Sequence, residues 1–110
     1  MRLVNGASSR EGRLQVYYND AWGTVCDDSF DQVDAQVVCG QLGFTIATVA
    51  ESGLFGESVS DPIWLTEVAC TGTENQLSEC GHRGWGDNNC AHSEDVGIIC
   101  RQPGESKCYH

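Results

Sequence analysis

From Gly12 apolar and polar positions alternate: Leu14, Val16 and Tyr18 fall on one face, Gln15 and Tyr17 on the other. A period of two with β-branched and aromatic content predicts a strand. Asn19-Asp20 tolerates positive φ and predicts a hairpin turn, whose second arm is Ala21 to Cys26. The period then changes. Ala35, Val38, Cys39 and Leu42 recur at i, i+3, i+4 and i+7 behind Asp31 as N-cap, and Gly43 is the stop signal. This predicts one helix with Cys39 on its core-facing side.

Elsewhere the pattern is weaker. Leu3-Val4 precedes a Gly/Ser turn, Thr45 to Val49 and Ile63 to Cys70 suggest short strands, and Asn75 to Cys80 suggests one helical turn. Gly81 to Asp95 is too polar and Gly-rich for regular structure, whereas Val96 to Cys100 reads as a final buried strand. The expected class is α+β: a twisted, mostly antiparallel sheet cradling one main helix, with long loops.

At 110 residues the chain is one domain with a small core. Residues 1–101 form the domain and 102–110 read as linker or tail. Seven cysteines lie at intervals of 12, 30, 9, 9, 9 and 7 residues, with no Cys-x-x-Cys and no zinc-finger spacing. Disulfides in an oxidising compartment are therefore expected, so the chain reads as extracellular, secreted or an ectodomain. The odd cysteine, Cys108, falls in the tail, and its partner is left open. No apolar run has the length of a signal peptide or a membrane span, and the segment reads as part of a longer parent protein.

The formal charge of −10 argues against nucleic acid or any partner needing a basic stripe. The acids are uneven: Asp27, Asp28, Asp31 and Asp34 fall together, and Asp87 to Asp95 is dense in oxygen ligands. A solvated acidic face competes here with cation binding, and helix capping competes for Asp31 and Asp34. No nucleophile signature accompanies His92, Ser93 and Glu94, which are adjacent and cannot face one another as a triad. His82, His92 and His110 read as surface histidines, and no enzyme is expected.

Several segments resemble the scavenger receptor cysteine-rich domain. They are residues 12–17, Trp22-Gly23-Thr24-Val25-Cys26-Asp27-Asp28, residues 34–43, Ile63-Trp64-Leu65 and residues 92–100. The likeness runs from Arg2 to Cys100. Six cysteines alone could pair in 15 ways. The resemblance to the six-cysteine subclass implies Cys26–Cys90, Cys39–Cys100 and Cys70–Cys80.

It also implies a metal site on Asp27, Asp28 and Glu94, and a second on Asn89 with Asp34 or Asp31. Ca²⁺ suits crowded carboxylates because it accepts about six to eight oxygens flexibly, and Mg²⁺ is the poorer fit. The implied function is Ca²⁺-dependent recognition of polyanionic or microbial surfaces, or of a host glycoprotein. The alternative is an accessory or adhesion domain in a larger protein such as a protease or lysyl oxidase. Arg13, Arg83 and Trp85 are the candidate ligand contacts. Similarity to mucosal members adds Val16 and Trp22 to Arg13, although core packing accounts for those two.

Overall fold

The computed structural model describes residues 1–50, 53–56, 58, 60–86, 88 and 90–102. Asn89, Cys108 and the expected tail beyond Gln102 lie outside the described residues. The alternating segment forms β2 (Glu11–Tyr18), and the hairpin returns as β3 (Ala21–Val25). Asn19 and Asp20 both take positive φ, 51° and 64°, as a two-residue turn matched to strand twist requires. Around these run β1 (Arg2–Asn5), β4 (Ile46–Val49), β5 (Ile63–Leu65) and β6 (Gly97–Arg101). The sheet order is β4-β6-β2-β3-β5, with β1 paired to β2. All pairings are antiparallel except β3 with β5.

Helix α1 (Gln32–Gln41) begins at Asp31 as read from the sequence. Its first turn is a reciprocal cap. Asp31 Oδ1 accepts the Asp34 N–H, and Asp34 Oδ2 accepts the Asp31 N–H at 2.8 Å. Ala35, Val37, Val38 and Cys39 are buried against Leu14, Val25, Leu65, Ile98 and Cys100, so the sheet closes over the helix around one core. Gly43 follows with φ of 94°, the left-handed stop expected there.

Among the described residues the disulfides are Cys26–Cys90, Cys39–Cys100 and Cys70–Cys80. Cys39–Cys100 pins α1 to β6 through the core, and both residues are fully buried. Chain-entropy arguments assign about 4 kcal/mol to each long bridge and about 3 to the short one. That total is comparable to the whole stability of a small domain.

Several expectations change. Tyr18 is exposed, while Gln15 is buried beneath Arg2 and Asp61, to which it is hydrogen-bonded. The alternation fails at the end of β2, where Tyr17 and Tyr18 are both exposed and pack against Trp22 and Trp85. Glu67 to Cys70 forms no strand. The Ala69–Gly81 pairing is an isolated bridge beside the Cys70–Cys80 disulfide. The helical turn near Cys80 is a 3-10 turn, Leu77–Glu79.

Candidate metal centre

Two acidic segments meet where β3 ends. Cys26 pairs with Asp95 as an isolated antiparallel bridge, and the Asp27 N–H donates to the Glu94 carbonyl at 2.7 Å. The Cys26–Cys90 disulfide closes the same junction from the other side. The chain before Cys90 is fastened along β5: Gly86 N–H donates to the Trp64 carbonyl, and the Asn88 amide to that of Ile63. A 3-10 turn, His92–Glu94, then reverses the chain, and Glu94 Oε1 accepts the Ala91 N–H at 2.9 Å.

The outcome is a cluster in which ligand atoms of Cys26, Asp28, Cys90 and Glu94 lie within 4.8 Å of one another. The sulfurs are joined in a disulfide, so the donors are the two carboxylates. Loss of hydration, then the Glu94 carboxylate, Asp27 and Glu67 hold the Asp28 carboxyl above its ordinary value. Like charges forced together raise the cost of ionisation, and a cation between them would remove it. Hard oxygen donors at this spread fit Ca²⁺, whose oxygen contacts run to about 2.3–2.6 Å. Asp28 and Glu94 would hold such an ion.

Asp27 acts on the charge of Asp28, but among the described residues it stands outside the tight cluster. Glu67, absent from the sequence reading, belongs to the field around Asp28. It takes positive φ, 52°, on the segment where the Thr66 hydroxyl lies 3.4 Å from Cys90 Sγ. Only the fold brings it there. Arg83 arrives with it, its Nη1 3.4 Å from Glu67 Oε2, both side chains about half exposed.

For the second site, Asp34 is buried with both carboxylate oxygens used: Oδ2 by Asp31 N–H and Oδ1 by Cys70 N–H at 2.7 Å. Burial pushes this carboxyl up, while those N–H donors oppose the shift. Asp31 completes the cap, and Asn89 lies outside the described residues.

The remaining candidate contacts sit elsewhere. Arg13 is half-buried and donates to the Phe55 carbonyl at 3.2 Å. Trp85 stacks on Tyr18 with centroids 4.0 Å apart and meets His82 edge-on. Val16 is core, and Trp22 is covered by the Arg2 guanidinium at 4.0 Å.

His92 is not a plain surface histidine. Its Nδ1 lies 2.9 Å from the buried Asp95 carboxylate, and its Nε2 2.7 Å from the Asp61 carbonyl. Burial favours the neutral ring, but those acceptors and the charges of Asp95 and Asp61 outweigh it and raise its pKa. Asp95 also accepts the Ser58 N–H, and the Ser58 hydroxyl donates to Asp61 Oδ2. The Thr24 hydroxyl also lies 3.4 Å from Nδ1, so His92 ties β3 to the Asp61 and Asp95 segments. Its geometry is structural.

Comparison with known proteins agrees with this architecture. A model of the scavenger receptor cysteine-rich domain matches residues 4–101. A scavenger receptor cysteine-rich domain superfamily protein of Patiria pectinifera is 50% identical over 101 residues, 91% of this chain and 9% of that protein. Human lysyl oxidase homolog 4 is 52% identical over 102 residues, 91% of this chain and 13% of that protein. This chain thus spans only about a tenth of those relatives. Among solved structures, the dimeric form of the mouse MARCO domain is 42% identical with TM-score 0.76, covering 92% of this chain and 94% of that one. The third such domain of murine neurotrypsin is 44% identical with TM-score 0.81, covering 90% and 92%. Fold, three disulfides and family match coincide, and the chain belongs to the scavenger receptor cysteine-rich domain family.

Proposed function

We propose that this domain is an extracellular recognition module whose ligand binding depends on Ca²⁺ held by Asp28 and Glu94, with Asp27 and Glu67 adding to the field. The observation that carries the reading is the convergence of the Asp28 and Glu94 carboxylates beside the Cys26–Cys90 bridge. Bound Ca²⁺ supplies a local positive field and coordination positions that a ligand oxygen can take from water. Asp28 and Glu94 fix that field at the surface of a domain with net charge −10, which otherwise repels anions. The ligand class is an anionic microbial or host surface, or a glycoprotein. Arg83, held at the rim through Glu67, is the contact best placed to assist.

Affinity for one domain is expected to be weak, with avidity supplied by several copies in a parent protein. Calcium calorimetry on the chain tests the site, and a panel of bacteria and polyanions with and without chelator tests its use. Absence of calcium heat removes the reading. Chelator-insensitive binding throughout the panel removes the dependence.

A second reading rests on the small share of its relatives that the chain covers. As an accessory domain it would position neighbouring domains, with the ion serving structure. Domains of this family are generally non-catalytic and occur also in enzyme-containing proteins. No helix among the described residues is long and apolar enough to cross a membrane.

A further inference from the structure

Where β1 ends, the chain carries a residue pair that occurs nowhere else in it. Of its asparagines (Asn5, Asn19, Asn75, Asn88 and Asn89), only Asn5 is followed by glycine. The fold leaves little choice at either position. Asn5 is exposed with φ of 71°, in the left-handed region that asparagine tolerates better than most side chains. At Gly6 a Cβ would come 2.1 Å from the Glu11 carbonyl oxygen, so no larger residue fits. The same glycine makes the pair reactive, because no side chain shields its nitrogen or restricts the backbone from closing on the Asn5 side chain.

We infer that Asn5 is a site of spontaneous deamidation, and that the change frees the 53–56 turn from the sheet. The Gly6 backbone nitrogen attacks Asn5 Cγ. The N–Cγ bond forms, the Cγ–Nδ2 bond breaks, and Nδ2 leaves as ammonia with the proton of the Gly6 N–H. Water then opens the cyclic imide. Opening at the side-chain carbonyl gives aspartate, and opening at the main-chain carbonyl gives isoaspartate, whose backbone runs through the former side chain. No oxidant or enzyme is required.

The consequence follows from what the amide holds. Asn5 Nδ2 donates to the Phe55 carbonyl at 2.7 Å, beside Arg13 Nη1, which donates to the same oxygen at 3.2 Å. The turn packs against both: a Cβ on Gly56 would lie 3.1 Å from Asn5 Nδ2 and 3.7 Å from Arg13 Nη1. An ionised carboxylate at position 5 has no hydrogen to give and sets oxygen against oxygen. It also offers Arg13 a charged acceptor in place of the Phe55 carbonyl. The isoaspartate product further lengthens the backbone at the last β1–β2 pair, Asn5 with Gly12.

The experiment ages the full chain in neutral and in mildly alkaline buffer and maps it by peptide mass spectrometry, with the reduced, unfolded chain alongside. In the folded chain Asn5 should convert before the other four asparagines and faster in the alkaline buffer, yielding both aspartate and isoaspartate peptides. Hydrogen exchange at the Gly56 N–H, which donates to the Gly53 carbonyl at 3.0 Å, reads the turn. Exchange there should be roughly threefold to tenfold faster in the converted chain and in Asn5→Asp than in the fresh parent. Asn5→Gly keeps the backbone conformation but lacks the amide, so it should exchange fast from the start and not change on ageing. Earlier conversion of another asparagine, or an Asn5 amide that survives in the folded chain while the unfolded one loses it, overturns the site. Unchanged Gly56 exchange in both the converted chain and Asn5→Asp overturns the release.

Discussion

The amide of Asp27 donates to the carbonyl of Glu94 at 2.7 Å, joining the two acidic segments through their backbones. Carboxylate repulsion therefore acts against a frame that cannot open without breaking this bond and straining the neighbouring disulfide. Asp28→Ala is expected to reduce calcium affinity at least roughly tenfold, since few protein oxygens share the charge. Its thermal midpoint should stay within about 2 °C of the parent without calcium, as an exposed side chain is removed. Glu94→Ala should lose calcium equally and also about 1 kcal/mol, because Glu94 accepts the Ala91 N–H. Unchanged calorimetric heats in both variants would refute the site.

Proton and cation compete for Asp28. Lost hydration and the Glu94 carboxylate raise its pKa, so folded Asp28 keeps its proton to higher pH than a free aspartate. Calcium affinity should fall as pH drops through that raised value, beginning before ordinary aspartates titrate. Titrations at about pH 7, 5 and 4 check this, and Asp28→Asn should be weak and much flatter across the series.

How much of this was legible in the sequence depends on whether the signal is local. Asp31, the Ala35–Leu42 stripe and Gly43 mark the helix because cap, period and stop all lie within its own span. The Asn19-Asp20 turn is equally local. β1 escapes, since four residues with no alternation become a strand only by pairing with β2. Gln15 looks like a solvent position until Arg2 and Asp61 close over it. The cysteine pairing came from family resemblance, as six cysteines carry no connectivity in their spacing. Asp28 and Glu94 followed from that pairing. Glu67 did not, for its approach depends on a positive-φ turn after β5 that no neighbouring glycine announces.

His92 couples the fold to pH with the opposite sense. Both ring nitrogens face acceptors, which only the imidazolium satisfies together. Its folded pKa is raised above 6.5, so its contribution is fully present below the unfolded value and is lost as pH rises through the folded one. The metal-free domain should therefore lose stability as pH rises above the ordinary histidine value and through the raised folded one, in a step that His92→Ala abolishes. That variant should also cost roughly 1–3 kcal/mol at the lower pH, since it removes a charged partner of buried Asp95. Urea midpoints across the range decide it.

Gly23 permits close approach of β3 and β5. A Cβ there would lie 2.3 Å from Trp64 Cδ1 and 2.7 Å from the Pro62 carbonyl, which accepts the Thr24 N–H. Trp64 cannot yield freely because its indole N–H donates to the Ala21 carbonyl. Gly23→Ala should cost about 1–3 kcal/mol by overpacking, read from denaturant midpoints. A neutral substitution would mean that β5 shifts without penalty.

Asp34 separates capping from metal binding. Its buried carboxylate accepts N–H groups of Asp31 and Cys70, tying the start of α1 to the Cys70–Cys80 loop. Asp34→Ala leaves both donors without that partner and should cost roughly 2–3 kcal/mol. If this cap is its whole role, calcium stoichiometry in the folded variant stays that of the parent. If Asp34 also serves a second ion, one equivalent of calcium disappears while Asp28 and Glu94 retain theirs. Calorimetry at a temperature where the variant remains folded distinguishes the two, because a loss of fold lowers all binding and a loss of one ligand lowers only one site.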